Sequence, residues 1–84
     1  MRVAGVRLSP PSVRLLAQIL EDAGYAETAA TLTEAIRLQA LEPALTLEDH
    51  HAMLLVLGDH CPTGLARLRR ELLEDDMRRR LAGA

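Results

Sequence analysis

Tyr25 is the only aromatic residue in this chain, so any core it builds must be made of aliphatic side chains. Seventeen leucines and thirteen alanines supply that material. Sheet cores draw on β-branched and aromatic residues, which are scarce here, whereas Leu and Ala are among the strongest helix formers. The fold class expected is all-α. Eighty-four residues can build one small core and have nothing left for a second, so one helical domain over 1–84 is expected and multi-domain enzymes are excluded. At 49% apolar and 26% charged, the chain is too hydrophobic to stay disordered. It has no apolar run near the roughly 18 residues that a membrane span needs.

Ten basic residues, all arginine, face twelve acids for a net charge of −2, so no whole-molecule positive field attracts nucleic acid or anionic lipid. The charge is unevenly spread: residues 1–20 carry three Arg and no acid, and residues 21–50 carry seven acids against Arg37 alone. Cys61 has no cysteine to pair with, which argues against a disulfide-stapled secreted domain. The start Met1-Arg2-Val3-Ala4-Gly5-Val6 is basic but lacks the apolar stretch of a signal peptide, and the expected compartment is the cytoplasm.

Four helices are bounded by their punctuation. Ser9 before Pro10-Pro11 reads as an N-cap with proline in the first turn, where the absent N–H would have had no intrahelical partner. Val13, Leu16, Leu20 and Ala23 recur at helical spacing, with Ile19 widening the stripe, and Gly24 is placed to end this first helix, Pro10–Ala23, in the left-handed conformation. Ala29, Leu32, Ile36 and Ala40 share a face of a second helix, Ala26–Leu41. Glu42-Pro43 stops it, because the residue before a proline is pushed out of the α region. Thr46 with Asp49 three residues on resembles a capping box and opens a third helix, Leu47–Leu57, ahead of Gly58. After a loop from Asp59 to Gly64, a fourth helix runs from Leu65 to about Leu81. On it Arg67 and Glu71, Arg70 and Glu74, Glu74 and Arg78, Asp75 and Arg79, and Asp76 and Arg80 are spaced to pair along a solvated face.

The two halves of the chain resemble each other. A shift of 37 lays Leu8-Ser9 on Leu45-Thr46, Leu16 on Met53, Ile19-Leu20 on Val56-Leu57 and Asp22 on Asp59. A shift of 36 lays Ala29, Leu32 and Ile36 on Leu65, Leu68 and Leu72. Each half is a helical hairpin, residues 9–42 and 43–81, that cannot bury its apolar face alone, so the pair is expected to close into a four-helix domain as a pseudo-repeat. The leaders Val3–Leu8 and Ala44–Thr46 are expected to form a minor two-stranded β-bridge with each other.

Few residues invite chemistry. His50, His51, Asp59, His60 and Cys61 gather zinc-ligand types within twelve residues. Adjacent His50 and His51 point about 100° apart on a helix, and no Cys-x-x-Cys or His-x-x-x-His spacing occurs. The expectation is no metal and no cofactor, with His50 and His51 on a first-turn surface and His60 and Cys61 in a turn. Cys61 beside His60 has no third group to orient it, and the five glycines are scattered singly instead of forming a phosphate loop, so no enzymatic activity is expected. The run Arg78-Arg79-Arg80 follows Glu74, Asp75 and Asp76 by one turn and suits a helix C-terminus through the macrodipole. A helix-turn-helix reader built on Ser12–Leu41 would expose Glu27, Thr28, Thr31 and Glu34 to phosphates with Arg37 as its only cation. The alternative of a small transcription-regulator or antitoxin-type DNA-associated protein therefore rests on Arg2, Arg7 and Arg14.

The stretch from Gln18 to Glu34, with Leu20-Glu21-Asp22-Ala23-Gly24-Tyr25-Ala26-Glu27-Thr28-Ala29-Ala30-Thr31-Leu32 at its centre, resembles the LisH (lissencephaly-homology) motif. That pattern is an apolar helix, a Gly-Tyr turn, then Thr-Ala and Leu-x-x-Glu on the next helix. The resemblance covers 17 of the 84 residues and implies self-association through these two helices. Taken whole, the lysine-free chain is similar to small helical proteins of high-GC bacteria, a resemblance that implies no activity.

Self-association is also expected from what the core can absorb. A domain of this size buries only about 60–65% of its chain surface, so some of Leu38, Leu41, Leu45, Leu54, Leu55, Leu73 and Met77 must find cover elsewhere. On the fourth helix, Leu65, Leu68 and Leu72 share one face. Leu73, Met77 and Leu81 step by four onto a second, rotated by roughly 80–160° from Leu65. The candidate interface residues are Leu73, Met77 and Leu81, with Tyr25 in the LisH-like hairpin. The expected function is a helical protein–protein interaction module, with a two-fold homodimer as the favoured assembly.

Overall fold

The computed structural model describes residues 1–83. Its elements are β1 (Arg2–Val3), β2 (Val6–Arg7), α1 (Pro10–Asp22), α2 (Ala26–Arg37), α3 (Leu47–Asp59) and α4 (Ala66–Ala82), the last entered through a short 3-10 turn over Thr63–Leu65. The fold is all-α with a minor two-stranded sheet, as the aliphatic composition predicts. The sheet, however, forms within the first leader and not between the two. Val3 lies opposite Val6 and Arg2 opposite Arg7 in an antiparallel pair. Ala4 and Gly5, both with positive φ (51° and 82°), make the turn. Two successive positive-φ residues characterise the type I′ hairpin, whose twist matches its strands. Residues 44–46 are unpaired coil, and the Arg2 amide reaches instead to the Leu41 carbonyl at 2.8 Å.

Helix ends follow backbone satisfaction. Past α1, the Gly24 amide bonds the Glu21 carbonyl and the Tyr25 amide bonds the Leu20 carbonyl, with Gly24 at φ +94°. This is the Schellman arrangement, which satisfies two otherwise orphaned carbonyls. The same arrangement ends α2 at Arg37, four residues before Leu41: Gln39 at φ +54° bonds Ile36, and the Ala40 amide bonds Ala35. The second helix is therefore shorter than the Glu42-Pro43 signal predicts, because a non-glycine residue already takes the left-handed position. α3 runs two residues beyond Leu57, straight through Gly58, and gives way only at His60, whose backbone is extended. Its start agrees with the sequence: the Asp49 amide donates to Thr46 Oγ1 at 3.1 Å and the Thr46 amide to Asp49 Oδ2 at 2.9 Å, completing the capping box.

All elements share one core. β1 and β2 contribute Val3 and Val6, α1 contributes Val13, Leu16, Ala17 and Leu20, α2 contributes Ala29 and Leu32, and α3 contributes Ala52, Met53, Val56 and Leu57. Leu65, Leu68 and Leu72 complete it from the 3-10 turn and α4. Three matched pairs of the two halves, Leu16 and Met53, Leu20 and Leu57, and Leu32 and Leu68, are fully inaccessible, whereas Leu8 and Leu45, Ile19 and Val56, and Ile36 and Leu72 each pair a buried residue with a half-buried one. α1 and α3 are each 13 residues long and end at the matched Asp22 and Asp59. The halves differ in their turns. The first closes through the compact Gly24-Tyr25 cap, the second through extended His60, Cys61 and Pro62.

Candidate functional site

The outer side of α4 carries the first part of the site. Leu68 and Leu72 point into the core, while Leu73, Met77 and Leu81 are 38%, 60% and 76% exposed. The spacing of four predicted this second row, and the structure leaves it facing away from the monomer's own core. Of the five charge pairs expected along α4, two form: Arg79 with Asp75, and Arg80 Nε with Asp76 Oδ2 at 2.9 Å. The Arg67–Glu71, Arg70–Glu74 and Glu74–Arg78 pairs do not. An exposed pair gains little in high dielectric and must immobilise two long side chains, so solvated conformers win at those positions. Among the described residues, Arg69 and Arg70 therefore carry uncompensated charge on the flank of the apolar row.

α3 lies antiparallel beside α4, with its first turns against the last turns of α4. Two contacts fix this register: His51 Nε2 is 3.7 Å from Asp76 Oδ1, and Arg79 approaches His50 Nδ1 at 3.3 Å. Burial and the neighbouring Arg79 guanidinium lower the His50 pKa against the opposing pull of Asp75 and Asp49, so this imidazole is neutral near pH 7. Leu47, His51 and Leu55 form an i, i+4, i+8 row on α3, and both leucines are exposed. On α4, at about 100° per residue, Asp76 has buried Leu72 about 40° to one side and Leu73 about 60° to the other. The His51–Asp76 contact thus sits in the seam with apolar side chains beside it on both helices. Leu47 and Leu55 flank it on α3, and Leu73 and Met77 flank it on α4.

Beyond Leu55 the face dips into an open groove of about 490 Å³ between the start of α2 and the first turns of α3. Tyr25, Ala52 and Leu55 give it an apolar floor, and Glu27, Glu48 and Asp49 give it a negative rim. The groove is held open at a fixed width by a link between the two helices: Thr28 Oγ1 donates to Asp49 Oδ1 at 2.6 Å. Thr28 is thus buried, where the sequence reading put it on an exposed recognition face, because α3 packs over that turn of α2. Asp49 is partly buried, which disfavours its charged form. The hydrogen bonds from Thr28 and from the Thr46 amide and hydroxyl outweigh that and hold its carboxyl below the usual range.

Tyr25 therefore lies in the groove with Leu55 and not in the α4 row, so the four candidate interface residues divide between two parts of one face. Leu55 belongs to the group of seven from which some must find cover outside the core, and it is 59% exposed. Leu47 and Glu48 escaped the sequence reading, although the Leu47–His51–Leu55 spacing carried the signal. Leu45 and Leu54 are accounted for differently: both are half-buried and pack against the core. Leu38 and Leu41 are exposed in the coil after α2.

The histidines and Cys61 are dispersed. His50 and His51 face α4, His60 is exposed after α3, and half-buried Cys61 turns its thiol toward the Pro62 carbonyl at 3.5 Å. Among the described residues no three His, Cys, Asp or Glu side chains are grouped to hold a metal ion, and no helix is long and apolar enough to cross a membrane. No family model, curated protein or solved structure matches this chain.

Proposed function

We propose that this chain is a small helical self-association module with no catalytic role. The observation that carries the reading is the exposure of Leu47 and Leu55 on α3 and of Leu73, Met77 and Leu81 on α4, two helices that pack side by side. Single exposed leucines are ordinary, but five large apolar side chains exposed on two neighbouring helices of so small a domain support a surface that is covered in use. The LisH-like hairpin supports the same reading, since its Tyr25 borders this face. Sedimentation equilibrium from about 1 to 500 μM tests it, a range that brackets micromolar dissociation constants. A mass rising from 9.2 kDa toward twice that value is expected, with Leu73→Glu holding the chain at 9.2 kDa. A wild-type mass fixed at 9.2 kDa throughout refutes the reading.

One observation favours a DNA-associated role as the second reading. The hairpin register places Arg2 directly opposite Arg7, both exposed, and like charges across a strand pair repel unless an anion lies between them. Against it, Arg37 of the would-be recognition helix is bound by Glu34, and Arg14 lines a separate groove with Glu21 and Arg37. Binding of a fluorescent duplex below about 10 μM would reverse the order of the two readings, since specific readers do better than that at physiological salt.

A further inference from the structure

We propose that the outward face of the β1–β2 hairpin binds the phosphate group of a small soluble phosphomonoester between the guanidinium groups of Arg2 and Arg7. The proposal is independent of the self-association reading, and it reduces the anion invoked for a DNA-associated role to a single phosphate.

The backbone brings the two arginines together. The Leu8 amide donates to the Met1 carbonyl at 2.8 Å, whereas the Arg2 amide turns away from β2 to the Leu41 carbonyl. Arg2 and Arg7 are therefore a non-hydrogen-bonded pair of the ladder, the kind whose Cα atoms approach to about 4.5 Å and whose side chains lie closest. Val3 and Val6 are buried on one face of the hairpin, so Arg2 and Arg7 share the other. A slip of one residue would separate the charges, but it would also turn both valines out of the core. The turn holds Ala4 at φ +51°, where a residue with a Cβ is rarely found. The core thus enforces a like-charged register that is unfavourable by itself.

Two guanidinium groups side by side select the ligand. Each presents a fork of N–H donors that matches two oxygens. A carboxylate has oxygens for one fork only, whereas a phosphomonoester offers three terminal oxygens and close to two negative charges at neutral pH. Among the described residues neither Arg2 nor Arg7 is held in an ion pair. The groove beside them, about 510 Å³, is lined by Met1, Arg2, Arg7, Leu41 and Glu42. It is roomier than a phosphate ion needs, and Met1 and Leu41 give it apolar walls for the organic part of the ligand. Glu42 is the one carboxylate in the lining, and it restricts the site to a single phosphate, since a neighbouring phosphate would meet its charge. Arg14, which a longer polyanion would need, lies in a separate groove with Glu21, and the net charge of −2 disfavours anionic polymers and membranes alike.

The test is an NMR titration of the isotope-labelled chain with phenyl phosphate, at neutral pH and constant ionic strength, with acetate as the control anion. Saturating shifts of the Arg2 and Arg7 Nε–H signals are expected, with a millimolar dissociation constant. Arg7→Gln is expected to weaken binding at least fivefold, and Glu42→Gln to tighten it at least twofold. All three side chains are exposed, so folding is preserved, and circular dichroism of each variant checks it. Shifts that do not saturate, equal binding of acetate, or an Arg7→Gln variant that binds like the wild type overturns the site. Binding of duplex DNA or of phosphatidic acid vesicles through Arg2 and Arg7, without binding of phenyl phosphate, overturns the assignment to a small soluble ligand.

Discussion

Removing the Asp49 carboxylate should do more harm than its place on a helix first turn implies. It closes the capping box on the Thr46 amide and accepts the hydroxyl of Thr28, which lies under α3. Asp49→Ala loses a cap interaction of about 1 kcal/mol. It also strands a buried hydroxyl, at about 1–3 kcal/mol. The sum, roughly 2–4 kcal/mol, corresponds to a fall of about 10–30 °C in Tm for a domain this small. The hydroxyl has one escape, rotation to a carbonyl one turn back, as Thr31 does to Glu27 and Thr33 to Ala29. If it takes that route, the loss shrinks to the cap alone. Urea denaturation followed at 222 nm, run as a double-mutant cycle with Thr28→Val, separates the two contributions. A coupling of about 1–2 kcal/mol is expected between the positions. Coupling below about 0.5 kcal/mol would mean that Thr28 and Asp49 do not tie α2 to α3, and the reasoning about groove width falls with it. The carboxyl's depressed pKa adds a pH signature. Its contribution is present above the unfolded value of about 3.9 and is lost as pH falls through the lower folded value, so Asp49→Asn should flatten the acid limb of stability against pH.

Gly24→Val should lower stability by about 1–3 kcal/mol through backbone strain alone, because φ is +94° while a Cβ there meets nothing within 4 Å; an unchanged urea midpoint would contradict this. Gln39→Gly acts at the equivalent cap of α2 in the opposite sense, raising stability by up to about 1 kcal/mol, and a lower midpoint would show that the Gln39 side chain matters more than its φ. His50, whose pKa is lowered by burial and by Arg79, stays neutral in the fold after the unfolded chain begins to protonate. Stability should therefore decline as pH falls below about 6.5, and His50→Gln should remove that part of the pH dependence in thermal melts.

Features written in local chemistry were legible in the sequence. Pro10-Pro11, Gly24 and the Thr46–Asp49 box act through neighbours a few residues away, and the helix ends they mark lie within a residue of the expected positions, although the Ser9 hydroxyl caps no backbone amide and meets Ser12 Oγ at 3.1 Å instead. The end of α2 was hidden because Gln39, not glycine, takes the left-handed conformation, so the visible stop was the later Pro43. The strand pairing was hidden for a similar reason: Ala-Gly lacks the Asn-Gly signal of a type I′ turn. Gly58 misled in the other direction, since glycine within a last turn weakens a helix without ending it. At the candidate site, the Leu73–Met77–Leu81 row follows from spacing alone. The groove does not, because Tyr25 and Leu55 are 30 positions apart and meet only once α3 lies over the first turn of α2.

The tight cap between α1 and α2 has a consequence for the order of folding. Only Ala23, Gly24 and Tyr25 separate these helices, so bringing Leu20 and Leu32 together closes a very short loop. Joining α1 to α3 must close the far longer stretch that includes all of α2. The first hairpin should therefore be formed in the transition state, with α4 docking late. Alanine substitutions at Leu20 or Leu32 should slow refolding, whereas Leu72→Ala should chiefly speed unfolding. An α4 that arrives last is also the element that leaves first, so the outer row of Leu73, Met77 and Leu81 sits on the helix held by the lowest kinetic barrier.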